Sequence, residues 1–391
     1  MERKNVYIYY FSQILLFVAA SLFNPVSYMF YMDNGLSASI IGISISILWI
    51  SSGIFEIPCG IFTDRHGTKN TMILSTGLSI LGLGLLIIKT NTPLLLLSSF
   101  IFGVSSAANS GCLSSWIVNY LKSELNETFE QSIIQKVFST SNIYTSIISI
   151  IFSFLVLQII YKINPKYPIY LSFIAYTICL LFFFLIFPKR KRTQKEKKNK
   201  LRNTFKSYTK VISKEFILLS IYFTIPSVMD MGPVNQWSIV FRDTNLLGVI
   251  QVLIVGSFVL GNWMVSKTKI QQKDILKLVI FDVLLIIFLS VTDKFNKYIP
   301  IFFFLAHVVI NTITLAVNMS YFHSNVITDD KNRNTLFSTF SFLNSLIVGL
   351  LLVFQGFLSD VLGMSNSWAL FSAIGCILYY TLHNKIMKKS N

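Results

Sequence analysis

Almost the whole chain consists of apolar stretches long enough to cross a bilayer, and this limits what it can fold into. Runs at about 6–31, 37–62, 71–90, 92–120, 133–161, 167–187, 214–241, 245–265, 275–292, 298–327, 334–359 and 366–384 carry few charges. A helical span needs roughly 20 apolar residues. Twelve such spans consume nearly all of the 391 residues and leave no room for a sizeable soluble domain. Only 13% of residues are charged, against about 25% in a typical soluble protein. Hydrophobic residues make up 53% and the mean hydropathy is +0.63. Inside hydrocarbon, backbone polar groups must bond within the protein, so spans are helices or closed barrels. These runs are long and continuous, unlike the ten-residue alternation of a barrel strand. The expected fold class is an all-α polytopic membrane protein.

Charge sets the orientation. With both termini on the inner side, the inner segments hold 27 of the 33 Lys and Arg, and the outer loops hold Lys89, Lys162, Lys166, Arg242, Lys294 and Lys297. Basic residues concentrate on the cytoplasmic side of membrane proteins, which predicts cytoplasmic termini and a place in the cell membrane. The same bias accounts for the net charge of +16 without nucleic acid: twelve basic residues sit in the single stretch Lys189–Lys214, and no aromatic–basic recognition motif accompanies them. That stretch divides the chain into an N-terminal six-helix half, 1–187, a basic linker, 188–213, and a C-terminal six-helix half, 214–391. Partial matches relate the halves at nearly one offset. Asn24-Pro25-Val26 pairs with Gly232-Pro233-Val234, and Phe138-Ser139-Thr140 with Phe337-Ser338-Thr339. Such internal repeats are typical of secondary transporters.

The composition offers little to an enzyme. The four cysteines, Cys59, Cys112, Cys179 and Cys376, lie singly in apolar runs and read as packing residues. The four histidines, His66, His307, His323 and His383, form no metal-ligand motif, and no phosphate-binding loop is present. No metal and no cofactor are expected.

Polar residues inside apolar spans are costly and mark function or inter-helix bonding. Asp230 falls in the middle of its span, between Pro226 and Gly232-Pro233, which predicts a kinked or unwound helix whose freed backbone groups line a cavity. Glu56 is a second carboxylate at depth. Asp230 and Glu56 are therefore the proton-coupling candidates. Asp282 reads as structural or interfacial. One helix face carries His307, Asn311, Thr314, Asn318 and Tyr321 at steps of 4, 3, 4 and 3. That face, with Asn24, Asn109, Asn142, Asn235 and Gln236 on other spans, supplies the substrate-pathway candidates: Asn24, Asn109, Asn142, Asn235, Gln236, His307, Asn311 and Asn318.

The junction between the second and third runs reads Gly60-Ile61-Phe62-Thr63-Asp64-Arg65-His66-Gly67-Thr68-Lys69. Between two apolar spans, this Gly-x-x-x-Asp-Arg-x-Gly-x-Lys pattern resembles the helix 2–3 loop of the major facilitator superfamily (MFS). The resemblance implies twelve helices in two pseudo-symmetric halves and a gating motif made of Gly60, Asp64, Arg65, Gly67 and Lys69. In the family the acid of this loop engages a helix N-terminus of the other half, here near Asn334, and the bases meet nearby acids, here Glu124, Glu127 and Glu130. It also implies a monomer that moves a small-molecule substrate through the lipid bilayer by alternating access. The chain departs from the family's drug–proton antiporters: Ser98 to Gly103 contains no arginine, and Asn142 to Gln158 contains neither glycine nor proline. The expected function is a proton-coupled secondary transporter, an exporter of drug-like, lipophilic or peptide cargo. The alternatives are an uptake permease and a non-transporting sensor or immunity protein.

Overall fold

The computed structural model describes residues 3–124, 127–188, 214–268, 270–322, 324 and 333–390. Residues 189–213 of the basic linker 188–213 lie outside them. The described helices are α1 (Arg3–Ser21), α2 (Ser27–Asp33), α3 (Ala38–Ile88), α4 (Thr92–Asn109), α5 (Cys112–Glu124), α6 (Glu127–Leu155) and α7 (Tyr167–Leu185). They continue with α8 (Lys214–Met229), α9 (Met231–Val240), α10 (Leu247–Lys267), α11 (Ile275–Thr292), α12 (Ile299–Tyr321), α13 (Arg333–Leu362) and α14 (Met364–Ser390). Ten helical stretches among the described residues are long and apolar enough to cross a membrane. One of them, Ala38–Ile88, holds two of the runs seen in sequence. α14 covers the last run and is not among the ten. The protein is an all-α, multi-pass membrane protein.

Breaks between helices have local causes. α1 and α2 are separated by a 3₁₀ turn at Asn24–Val26, where the sequence alone suggests one uninterrupted span. Pro25 has no N–H to give and its ring clashes with the preceding turn. α3 carries its only non-helical residue at Gly67, with φ +82° and ψ 162°. A side chain disfavours that conformation, so glycine lets the chain reverse there without a loop.

The chain falls into two compact units: residues 1–34 with 50–196, and residues 35–49 with 197–391. α3 thus gives its first residues to the second unit. In the first unit α1 packs on α6 and α7 around Tyr9, Leu16, Met72, Ile117, Cys179 and Phe183. Ser172 Oγ of α7 donates to the Ala19 carbonyl at 2.7 Å. The second limb of α3 is bonded to α4 by serines. Ser75 Oγ donates to the Ser105 carbonyl at 2.9 Å, Ser105 Oγ returns a bond to the Ser75 carbonyl at 2.8 Å, and Ser98 Oγ donates to the Gly82 carbonyl at 3.0 Å. Small hydroxyl residues let helices approach closely and bond across in lipid. All four cysteines are free, three of them buried.

In the second unit α11 packs between α12 and α14, and α12 also packs on α10. The start of α3 is held against the end of α13. The Asp360 carboxylate accepts from the N–H groups of Ala38 and Ser39, each at 2.8 Å, and from the Ser39 hydroxyl. This satisfies orphan donors of a helix N-terminus and places negative charge where the helix dipole favours it. Glycines bring the helices together: a Cβ on Gly42 would meet the Leu352 carbonyl oxygen at 2.7 Å, and one on Gly356 the Ala38 oxygen at 2.5 Å.

That crossing generates a test. Gly356→Ala forces backbone apart and is expected to destabilise the protein by about 1–3 kcal/mol. Gly256→Ala, on α10 with nothing within 4 Å of its Cβ position, is expected to leave stability unchanged or raised. Thermal denaturation in detergent compares the two; equal melting behaviour would contradict the close-crossing account.

Candidate functional site

The site lies in the second unit, where the α8–α9 break meets α11 and α12. Asp230 sits at the break, with φ −82° and ψ −6°. Pro233 cannot donate an N–H back to the Met229 carbonyl, and Ser372 Oγ of α14 donates to that oxygen at 3.4 Å. Gly232 makes the close approach possible, since a Cβ there would stand 2.4 Å from Trp368 Cδ1. The sequence Asp-Met-Gly-Pro therefore stops one helix, starts another and leaves a carboxylate between them.

His307 of α12 bonds through both ring nitrogens. Nδ1 lies 2.7 Å from Asp282 Oδ1 of α11, and Nε2 lies 3.0 Å from Asp230 Oδ1. The His307 side chain is 1% exposed, Asp282 7% and Asp230 21%, so Asp230 is the open end of the trio. Phe304 lies beside the His307 ring, with Trp237, Phe241 and Trp368 around Phe304. Such surroundings remove water and strengthen charge–charge interaction.

The hydrogen-bond count restricts the proton count. A ring nitrogen facing a carboxylate oxygen needs one proton between them. Two bonds therefore hold two protons. They sit either as an imidazolium between two carboxylates or as an imidazole between one carboxylate and one carboxylic acid. Both arrangements carry net charge −1. A third proton makes the trio neutral.

The remaining candidates are placed as follows. Gln236 is buried and bonded inward: its Oε1 accepts from Trp368 Nε1 at 2.7 Å, and its Nε2 donates to Ser359 Oγ at 3.0 Å. Asn235 turns back on its own helix, donating from Nδ2 to the Met231 carbonyl at 2.8 Å. Asn318 Oδ1 accepts from Gln272 Nε2 at 2.9 Å, and Asn311 is buried on the His307 face. In the first unit Asn24, Asn109 and Asn142 are exposed, and Glu56 is half-buried within α3 with no hydrogen-bond partner among the described residues. In the Gly60–Lys69 motif, Gly60, Asp64 and Arg65 are exposed and Gly67 makes the break. Lys69 Nζ donates to the Phe187 carbonyl at 2.9 Å, just past the C-terminus of α7, where a cation is favoured. The side chains of Glu124, Glu127, Glu130 and Asn334 lie outside the described set.

The structure thus joins two candidates, Asp230 and His307, and adds Asp282. The sequence signal for Asp282 was its presence as a lone acid in an apolar run. Its partner, 25 residues away on the next helix, becomes visible only with the packing.

A profile of the Major Facilitator Superfamily matches residues 9–327. No curated protein sequence matches the chain significantly. Solved structures share its fold. The nucleoside transporter NupG superimposes with TM-score 0.73 at 11% identity, covering 98% of this chain and 99% of that one. A bacterial homolog to the human lysosomal transporter Spinster, inward-facing and unoccupied, gives 0.73 at 12%, covering 98% and 97%. The POT family transporter PepTSo gives 0.72 at 11%, covering 99% of each.

Removing the central base should expose the coupling. His307→Gln leaves the buried Asp282 carboxylate and the part-exposed Asp230 carboxylate facing a neutral amide and is expected to cost about 3–5 kcal/mol, as for other broken buried pairs. Adding Asp282→Asn should recover a large part of that loss. The cycle is read by thermal denaturation in detergent; strictly additive effects would show that the trio is not coupled.

Proposed function

This chain belongs to the Major Facilitator Superfamily, and from that premise we propose that it is a proton-coupled secondary transporter whose coupling group is Asp230–His307–Asp282. Membership makes it a transporter rather than an enzyme. The observation that carries the coupling is a buried histidine bonded on both sides to carboxylates, with little other buried charge among the described residues.

The chemistry follows from the proton count. With two protons the trio is an anion in an apolar surround, and the open carboxylate of Asp230 must face water or solute to be tolerated. With three protons it is neutral and can be closed away from water at much lower cost. Protonation therefore favours a conformation in which the site is occluded, and deprotonation favours one in which Asp230 meets the pathway. A cationic or hydrogen-bond-donating solute at Asp230 would take the place of the third proton. That substitution makes proton and solute mutually exclusive, which is exchange. The reading includes export of a drug-like, lipophilic or peptide solute across the cell membrane, with the termini in the cytoplasm. Asp64, Arg65 and Lys69 act as a latch at one membrane face, and Glu56 is the second carboxylate on the pathway.

The test uses the full chain in liposomes loaded with a pH-sensitive dye, against a panel of lipophilic cations, short peptides and nucleosides. A moved solute should be accumulated uphill only when a proton gradient is imposed. Asp230→Asn should lose uphill accumulation by tenfold or more, about 1.4 kcal/mol or more of coupling. Uphill movement that persists unchanged in Asp230→Asn would overturn the assignment. The sign of the pH change in the dye gives the direction.

A further inference from the structure

Two membrane spans of the second unit end together at the turn between α10 and α11. α10 stops at Lys267, a 3₁₀ turn covers Gln272–Asp274, and α11 starts at Ile275. Both helices carry an exposed apolar stripe that ends in lysine at this turn. On α10, Val252, Val259, Trp263 and Lys267 follow at steps of 7, 4 and 4, and on α11, Lys277, Phe281, Leu284 and Phe288 follow at steps of 4, 3 and 4. Each spacing puts its residues on one helix face. Val259 is 65% exposed, Trp263 56%, Phe281 49% and Phe288 52%. Large apolar side chains left open in a row along a span mark a surface that meets lipid. Trp263 lies one turn inside a charged helix end, the level at which tryptophan anchors a span at the membrane–water boundary. Asp282, by contrast, is buried within the bundle.

At this boundary lies a groove of about 310 Å³, lined by Thr268, Ile270, Asp274, Lys277 and Leu278. Ile270 and Leu278 give it an apolar wall, and a lysine stem adds to such a wall while its ammonium group stays at the edge. The charge around it is unbalanced. Lys267, Lys273 and Lys277 are exposed, against one acid, Asp274, whose Oδ2 accepts from the Gln271 N–H at 3.1 Å. No ion pair joins Asp274 to these lysines among the described residues. Lys277 stands in the first turn of α11, where the helix dipole disfavours a cation, so helix stability does not explain it. The general excess of lysine at one membrane face explains basic loops. It does not explain a groove that joins an apolar wall to lysine where two lipid-facing stripes end.

We propose that this groove binds an anionic phospholipid, its phosphate held by Lys277 and Lys273 and its acyl chains running along Ile270 and Leu278 onto the stripes of Trp263 and Phe281. The ammonium groups donate N–H bonds to the phosphate oxygens. Net charge selects the lipid class. A phosphatidylcholine or phosphatidylethanolamine head carries a cation beside its phosphate, so the lysines repel one part of the head while they attract the other. A phosphatidylglycerol head has the phosphate charge alone. Two lysines at the membrane surface favour it over a net-neutral head by about tenfold or more. Asp274 opposes the anion and sets the strength of the site without changing its sign, since three lysines surround it. The site lies apart from Asp230, His307 and Asp282 and does not depend on the proton-coupled reading.

Trp263 reports on the site. The full chain is placed in phosphatidylcholine vesicles, and a minor fraction of the lipid is replaced by dibrominated phosphatidylglycerol, phosphatidylethanolamine or phosphatidylcholine, whose bromines quench nearby tryptophan. The quenching that is absent in Trp263→Phe belongs to this site. In wild type, phosphatidylglycerol should associate about tenfold more strongly than phosphatidylcholine. The double variant Lys273→Gln, Lys277→Gln should bring that preference to about twofold or less, whereas Lys294→Gln with Lys297→Gln, at the far end of α11, should leave it unchanged. Asp274→Asn keeps an acceptor for the Gln271 N–H, removes the opposing charge and should raise the preference severalfold. Equal quenching by phosphatidylglycerol and phosphatidylcholine in wild type would overturn the proposal, and so would a preference that survives loss of both lysines. Stronger quenching by phosphatidylethanolamine than by phosphatidylglycerol would show that Asp274 and not the lysines selects the head, and would overturn it too. Should the double variant fail to reconstitute, Asp274→Asn decides: a raised preference supports the site and an unchanged one overturns it.

Discussion

A histidine bonded on both sides to carboxylates is costly to place in an apolar bundle, and much of the second unit is arranged around that cost. Burying an isolated charge in such surroundings costs several kcal/mol even after relaxation. Two carboxylates and one imidazole offset one another only in the geometry seen here, 2.7 and 3.0 Å from the two ring nitrogens. The geometry in turn requires α8 to stop at Met229, α9 to restart at Met231, and α11 and α12 to lie side by side. Gly232 admits Trp368, and Ser372 takes over the carbonyl freed by Pro233. A wholly apolar version of these helices would pack more easily. The retained polar trio is the feature on which the proposed proton coupling rests.

The two units use different means to the same end. The first adds hydroxyl–carbonyl bonds between small residues, as between Ser75, Ser105 and Gly82, to its apolar core, and its candidate asparagines stay exposed. The second concentrates its polar groups in buried networks: the trio, the knot of Gln236, Trp368 and Ser359, and the cluster of Tyr222, Tyr379 and His383. Networks of this kind fix one arrangement or two discrete ones.

Much of the architecture was legible in the chain. Apolar runs of the required length place the helices, because lipid leaves the backbone no other choice. Gly67 and the Pro226–Pro233 interval were readable as breaks because glycine and proline act through their own backbones. Asp230 and His307 stood out because a charge in an apolar run has few innocent explanations. Asp282, also a lone acid in an apolar run, read as structural or interfacial, since its meaning depends on which helix lies beside it. Gln236 read as pathway lining and is packed into the protein, because periodicity gives a face but not the neighbour on that face. The acid that caps a helix N-terminus in the second unit is Asp360, acting on Ala38 and Ser39 across 322 and 321 residues of sequence. No local pattern announces a contact of that range.

The central claim is that Asp230, His307 and Asp282 hold their protons as one unit. The chain has only four histidines, so nitrogen NMR of the ¹⁵N-histidine-labelled protein in lipid resolves each ring. The account predicts one histidine, absent in His307→Gln, with both ring nitrogens hydrogen-bonded. Its signals should shift in Asp230→Asn and again in Asp282→Asn. A His307 ring with one free nitrogen, indifferent to either substitution, would contradict it.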